Sequence, residues 1–352
     1  MAYTTIKKPS DYFNTKLYTG DGTSNRSITG VNFQPDFTWI KLRDGAHEHT
    51  LIDSVRGLNK SLQSNNTNAE GTDLQYGWLS SFNADGFTTQ KGSSNEQWNV
   101  NENNRTYASW NWLGANGTAS NNDGSISSTV SANTTSGFSI VKFTGTGSAL
   151  TAGHGLGVKP SMIIAKSTTI ANNWIVQHGS LGATNTIFLD NTNPSQTGTS
   201  FWNDTEPTSS VFSLGTWHGI NTSGSGIIAY CFAEKQGFSK FGSYTGNGST
   251  DGTFVYTGFK PAFVMLKASN SEKDWWILDS KRDSFNQAED LLKANSSDAE
   301  VSYSNFKVDF LSNGWKFRGV TAGANGSGIN YIYMAFAEQP LVGSNNVPCT
   351  AR

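Results

Sequence analysis

The sequence predicts an all-β protein of three tandem, related antiparallel β-sandwich units, jelly-roll or lectin-like in type. Three observations carry that expectation. Short apolar runs are broken at intervals of about ten residues by clusters of Gly, Pro, Asn and Ser, the punctuation of a sandwich or barrel. Helical periodicity is nearly absent; residues 283–300 are the one segment with room for a short helix or turn. And one set of landmarks recurs three times in the same order, which marks an internal repeat.

The landmarks are specific. Pro35, Pro160 and Pro261 each lead into a short apolar strand that stops at a lysine: Lys41, Lys166 and Lys267. The prolines are separated by 125 and 101 positions, and so are the aromatic-Thr-Gly-x-Gly turns upstream that start at Tyr18, Phe143 and Tyr244. Downstream comes a strand opened by Trp174 or Trp275, whose first counterpart, "HTLIDS", lacks the tryptophan. Asp85-Gly86 and Asn313-Gly314 mark later turns, and each copy closes on an aromatic alternating strand ending at Trp112, Glu234 or Glu338. In the run "PAFVMLK", Ala262, Val264 and Leu266 fall on one face and Phe263 and Met265 on the other. Both faces are apolar, so the strand should be covered on both sides.

These marks divide the chain into an N-terminal arm (1–10), unit 1 (11–113), a polar Gly/Ser/Asn linker (114–136), unit 2 (137–236), unit 3 (237–340) and a C-terminal tail (341–352). The linker composition reads as a flexible connector. Units 2 and 3 follow one another directly and should pack as one rigid body, with the first free to move relative to them. The short polar ends read as docking arms, disordered in isolation.

Charge excludes some functions. There are 25 basic and 27 acidic residues, a net charge of −2, and no basic face for nucleic acid. The first residues lack the apolar core of a signal peptide, and no run is long enough to span a membrane. The two cysteines, Cys231 in an apolar strand and Cys349 near the end, do not make a disulfide framework. The chain therefore reads as made in a cytoplasm, without membrane insertion.

Catalytic sets are not apparent, so no enzyme activity and no cofactor are expected. His47 and His49 have a metal-like His-x-His spacing, but the favoured reading is a polar surface loop, since a turn precedes them and the other units lack the pair. Asp53 with Arg56, and Asp279 with Arg282, read as local ion pairs or Asp-capped turns. Hydrolysis of a glycosidic bond needs two carboxylates in one cleft; Glu48, Glu70, Glu96, Glu206, Asp274 and Glu300 are candidates by charge alone, and Glu234 and Glu338 end equivalent strands. Trp98, Trp202 and Trp217 lie in polar, Gly-rich stretches and are candidates for stacking on sugar rings, against the alternative of satellite cores.

Longer stretches carry a resemblance. "MAYTTIKKPSDYFNTKLYTGDG", "WNDTEPTSSVFSLG", "AYCFAEKQGFSKFGSYTGNG" and "MAFAEQPLVGSNNVPCTAR" resemble a group of virion-associated, tail-fibre-like proteins of marine tailed phages, of the cyanophage and pelagiphage type. The resemblance implies a structural or adhesive protein on the virion exterior, made in the host cytoplasm. It points first to a tail fibre or receptor-binding component contacting host-surface glycan, with other virion proteins of tail or capsid as partners and a symmetric homo-oligomer, commonly a trimer, as the assembly. A capsid decoration or head-fibre protein is the alternative, and a glycan depolymerase a third reading.

Overall fold

A computed structural model describes residues 3–72, 74–94, 98–343 and 347–350. The chain is all-β, and every named strand pair is antiparallel. Three large sheets share one strand order. In the first, the lead strand Phe13–Thr19 pairs with the closing strand Thr106–Trp112, then comes the lysine strand Phe37–Leu42, then Thr50–Asp53. In the second the same order runs Phe138–Thr144, Gly226–Phe232, Met162–Ser167, Ile175–His178; in the third it runs Ser239–Thr245, Asn330–Pro340, Phe259–Ala268, Trp275–Asp279. We call the fourth member of each set the seam strand. A small sheet of two or three strands packs over the outer face of each large one.

Why both faces of the lysine strands are apolar is now plain. Phe263 and Met265 point inward, to a core shared by all three sheets, while Val264 and Leu266 point outward to the third sheet's own core. Phe37 and Trp39, and Met162 and Ile164, make the same inward choice. Across the shared core Phe37 stacks on Tyr230 at 4.2 Å, Phe13 on Phe336 at 4.7 Å, and Phe232 meets Phe336 at 6.1 Å. Every pair of sheets is thus in aromatic contact. Burying one face of each sheet against two others removes more apolar surface from water than three separate sandwiches would.

The expected mobility of the first segment is therefore corrected: it is a third of a closed ring. The polar linker is corrected as well. Ala119–Asn121 and Ser128–Asn133 form strands that extend the second sheet beyond Phe138–Thr144. Val130 is buried in the second outer core. Asp36 fastens the linker's start to the first sheet, accepting from the Gly114 and Asn116 amides at 2.9 and 3.0 Å and from the Ser54 hydroxyl at 2.7 Å. The N-terminal arm is also docked: Ile6 is buried in the shared core, and the Tyr3 hydroxyl donates to Gly258 O at 2.6 Å. Residues 283–300 hold the strand Asp290–Lys293 and no helix; the short helix lies at Thr199–Trp202. Both cysteines are free.

The Thr-Gly-x-Gly turns each close on a buried asparagine. Asn101, Asn221 and Asn325 have no exposed surface. The side-chain oxygen of each accepts from a turn amide (Asp21, Thr146, Asn247) at 3.2, 2.9 and 3.1 Å. The backbone oxygen of each accepts from the second glycine of the turn, Gly22, Gly147 or Gly248. That glycine has a φ of 68°, 77° or 65°, the left-handed region that favours Gly. Truncating a clasp should strand buried backbone groups. Asn325→Ala is expected to cost about 1–3 kcal/mol in urea unfolding and to speed amide exchange at Gly248, with the Gly22 turn unchanged.

Candidate functional site

The seams between sheets hold most of the buried polar chemistry, and it runs in one cyclic sense. The carbonyl two residues beyond each lysine accepts a backbone bond from the neighbouring sheet: Arg43 from Glu300, Thr168 from Glu70, Ser269 from Ser195, at 2.7, 2.9 and 2.8 Å. The first ring of each seam strand region donates across as well. Trp174 Nε1 donates to Gln63 O at 2.9 Å and Trp275 Nε1 to Phe188 O at 2.7 Å. His49 stands where the missing tryptophan would be, its Nε2 2.9 Å from Lys293 O while Nδ1 accepts from Trp39 Nε1 at 2.8 Å. Those partners fix the neutral tautomer with the proton on Nε2, and burial holds the ring's pKa well below the ordinary value.

The end of each seam strand closes the ring in the opposite sense. Asp53 accepts from the Tyr230 hydroxyl at 2.8 Å, Asp279 from Trp110 Nε1 at 3.1 Å, and His178 Nε2 lies 3.0 Å from Tyr333 O. Asp53 and Asp279 also cap the turn that follows, and each binds the arginine three residues on at 2.5 Å, with both side chains buried. Burial opposes the charge on Arg56 and Arg282, and the facing carboxylates more than restore it, so both titrate above their ordinary range. These Asp-Arg pairs lie at the seams between sheets.

The repeated lysines belong to the same seams. Lys41, Lys166 and Lys267 have no exposed surface. Each donates to the carbonyl of the next residue, and two reach a neighbouring sheet, Lys41 at Ser297 O (3.2 Å) and Lys267 at Thr192 O (3.1 Å). Burial lowers their pKa values to about 8, 8 and 7.

Against this frame the sequence candidates separate. Trp202 is buried in the second outer core and is not available to a sugar; its helix turns it inward although its sequence neighbours are polar. Trp217 is half-buried over Phe188 and Phe201, at 5.9 and 5.1 Å. Trp98 is half-buried, edge-on to His47 at 5.5 Å. His47 and His49 do not form a metal pair, since both ring nitrogens of His49 are engaged and His47 Nε2 lies 2.8 Å from Asn99 Oδ1. Among the described residues no cluster of three or more His, Cys, Asp or Glu could hold a metal ion.

The candidate carboxylates are spread over the molecule. Glu70 and Glu300 face seam arginines, Glu206 pairs with Lys159 at 2.7 Å, and Asn65 donates to Glu48. Glu96 lies outside the described residues. Asp274 is the exception, because it borders an open groove of about 440 Å³ that Glu272 also lines. A second groove, of about 520 Å³, runs between Val55 and the edge of the second sheet near Lys142 and Thr144.

One geometric relation was hidden in the sequence. Trp98 and Trp217 stand three and four positions before the clasp asparagines Asn101 and Asn221. Both belong to the loop that enters the closing strand, beside the loop that leaves the lysine strand. Gly219 shows the proximity: a Cβ there would meet both Trp217 and Asn172 within 2.8 Å. The 440 Å³ groove occupies the same two loops in the third sheet, between residues 272–274 and 321–323. The signal that finds all three is the asparagine five residues before each closing strand.

A family model described as a domain of unknown function (DUF7483) matches residues 8–340, and the chain belongs to that family. No curated protein matches the chain.

Proposed function

We propose that this member of the DUF7483 family is a virion surface protein of a tailed phage, a tail-fibre or receptor-binding component whose exposed loops contact host-surface glycan. The observation that carries a structural, adhesive role is the closed ring. Three sheets share one core and every seam is sealed by buried hydrogen bonds, which makes a stiff platform. Recognition residues are commonly carried on loops held by such a scaffold. The resemblance of the N- and C-terminal stretches to virion proteins of marine phages supports the location.

Threefold packing is common in fibres built from three chains. Here one chain supplies a threefold arrangement internally, so a monomer as well as a homo-oligomer fits a fibre position. Of the aromatic candidates, Trp98 and Trp217 keep partial exposure and remain contacts for glycan, and Trp202 is withdrawn.

Competition tests the reading. Purified protein is expected to block adsorption of the parent phage to its host, and labelled antibody should decorate the tail. Binding to isolated capsids with no effect on adsorption would instead make it a decoration protein.

A further inference from the structure

We propose that the groove between residues 272–274 and 321–323 is a saccharide subsite, taking a neutral or N-acetylated hexose chain. This rests on the adhesive reading above and names the site at which it would operate.

The three sheets differ at this loop. In the first and second sheets the loop before the clasp asparagine carries a tryptophan that folds onto its own sheet: Trp98 against His47, Trp217 against Phe188 and Phe201. In the third sheet the corresponding positions are Thr321 and Ala322. No bulky side chain fills the space, and the groove of about 440 Å³ is left. That volume is within the range of ligand sites, about 300–1,000 Å³.

Trp276 carries an unsatisfied donor. Trp276 lines the groove and is only 7% exposed. Its Nε1 has no hydrogen-bond partner. It lies on the Gly323 side, where a Cβ on Gly323 would come within 2.7 Å of it. A buried indole N–H usually finds a partner, and leaving it unmade costs about 1–3 kcal/mol. That N–H is itself buried, like the unpartnered indoles of Trp112, Trp202 and Trp315, so a ligand hydroxyl becomes its acceptor only where the Gly323 turn gives way.

The groove wall is polar and mixed. Glu272 and Asp274 offer carboxylate acceptors, Lys273 a donor, and Thr192 and Thr321 hydroxyls that do both. The signs are mixed. An anion would meet two carboxylates, and a cation would meet Lys273 and also Lys293, which sits 3.6 Å from Asp274 and 5.5 Å from the Trp276 ring centroid. A polyhydroxyl ligand presents donors and acceptors together and matches the set.

The test uses the full chain, ¹⁵N-labelled, with maltotetraose, cellotetraose and chitotetraose as probes. The indole resonance of Trp276, assigned with Trp276→Phe, is expected to shift and saturate with at least one probe. Ala322→Trp rebuilds the plug of the first sheet, at the position of Trp98, and should weaken that binding about tenfold or more. Glu272→Gln, at an exposed position, should weaken it several-fold with the fold intact, which keeps the test decisive if Ala322→Trp fails to fold. No shift with any probe, or shifts at Trp98 or Trp217 with Trp276 silent, overturns the proposal. Release of reducing ends from a probe would make the groove hydrolytic and overturn it as a binding subsite. Adsorption blocking that survives both substitutions would leave the receptor-binding reading standing without this groove; saccharide binding without adsorption blocking would do the reverse.

Discussion

Asp279→Ala is expected to lower the free energy of unfolding by about 3–5 kcal/mol, the scale for breaking a buried ion pair from one side. The carboxylate does several things at once. It holds Arg282 at 2.5 Å, accepts from Trp110 Nε1 at 3.1 Å, and caps the Lys281 and Arg282 amides at 3.1 and 2.9 Å. Its loss leaves the Arg282 guanidinium buried with Glu300 as its remaining charge partner at 2.9 Å. Trp110 lies in the first sheet and Asp279 in the third, so the damage falls on the seam that closes the ring. Unfolding should therefore remain one transition, with fluorescence of Trp110 and Trp174 lost together in urea. Lys281→Ala, at an exposed neighbouring position, should change stability by no more than about 0.5 kcal/mol. A loss below about 1 kcal/mol for Asp279→Ala, or a first sheet that melts separately, would show that the ring is not a single cooperative body.

The strands and their two apolar faces were legible in the sequence because period-2 alternation and turn residues are local signals. What the second apolar face meets is not a local property. Hydrophobic burial is non-directional, so Phe263 and Met265 look the same whether a small sheet or two other large sheets cover them. The linker misled for a related reason. Its Ser, Asn and Gly content hides the alternation of Ser128 and Val130, and pairing to an existing sheet edge supplies the order that composition lacks. Trp202 shows the opposite error: polar sequence neighbours suggested exposure, and one helical turn carries the ring into the core. The three lysines were visible only as strand ends. Lysine is almost never fully buried unless paired, so their burial against carbonyls has no sequence signature beyond their recurrence. The plug-or-groove difference among the three loops depends on aligning Asn101, Asn221 and Asn325, residues that carry no motif of their own.

Those lysines give the second large effect, a rise in stability with pH from about 7 to 10. Burial places the Lys41, Lys166 and Lys267 pKa values at about 8, 8 and 7, against an unfolded value of about 10.4. Between those limits the unfolded chain binds more protons than the folded one, so raising the pH favours the fold. Each lysine contributes at most about 1.4 kcal/mol per pH unit, and the increment ends below the folded pKa, where the ammonium is charged in both states. Nearby carboxylates moderate the effect: Glu48, Asp298, Asp44 and Glu300 around Lys41, Asp190 near Lys166, and Asp274 and Glu272 near Lys267. His178 adds to the same trend at lower pH. Burial brings its pKa to about 4, so stability also falls as pH drops from about 6.5 toward 4. Above about pH 10 the buried tyrosines Tyr18, Tyr230 and Tyr244, held well above their ordinary value by burial, ionise first in the unfolded chain and reverse the slope. Urea unfolding at a series of pH values should therefore give a stability maximum on the alkaline side of neutrality. Lys267→Met removes the group with the lowest pKa of the three and should flatten the rise between pH 7 and 10, whatever its cost at any single pH from the unsatisfied Thr192 and Ala268 carbonyls. A wild-type profile that is flat over that range would mean that the seam lysines keep their ordinary charge, and that water reaches the seams between the sheets.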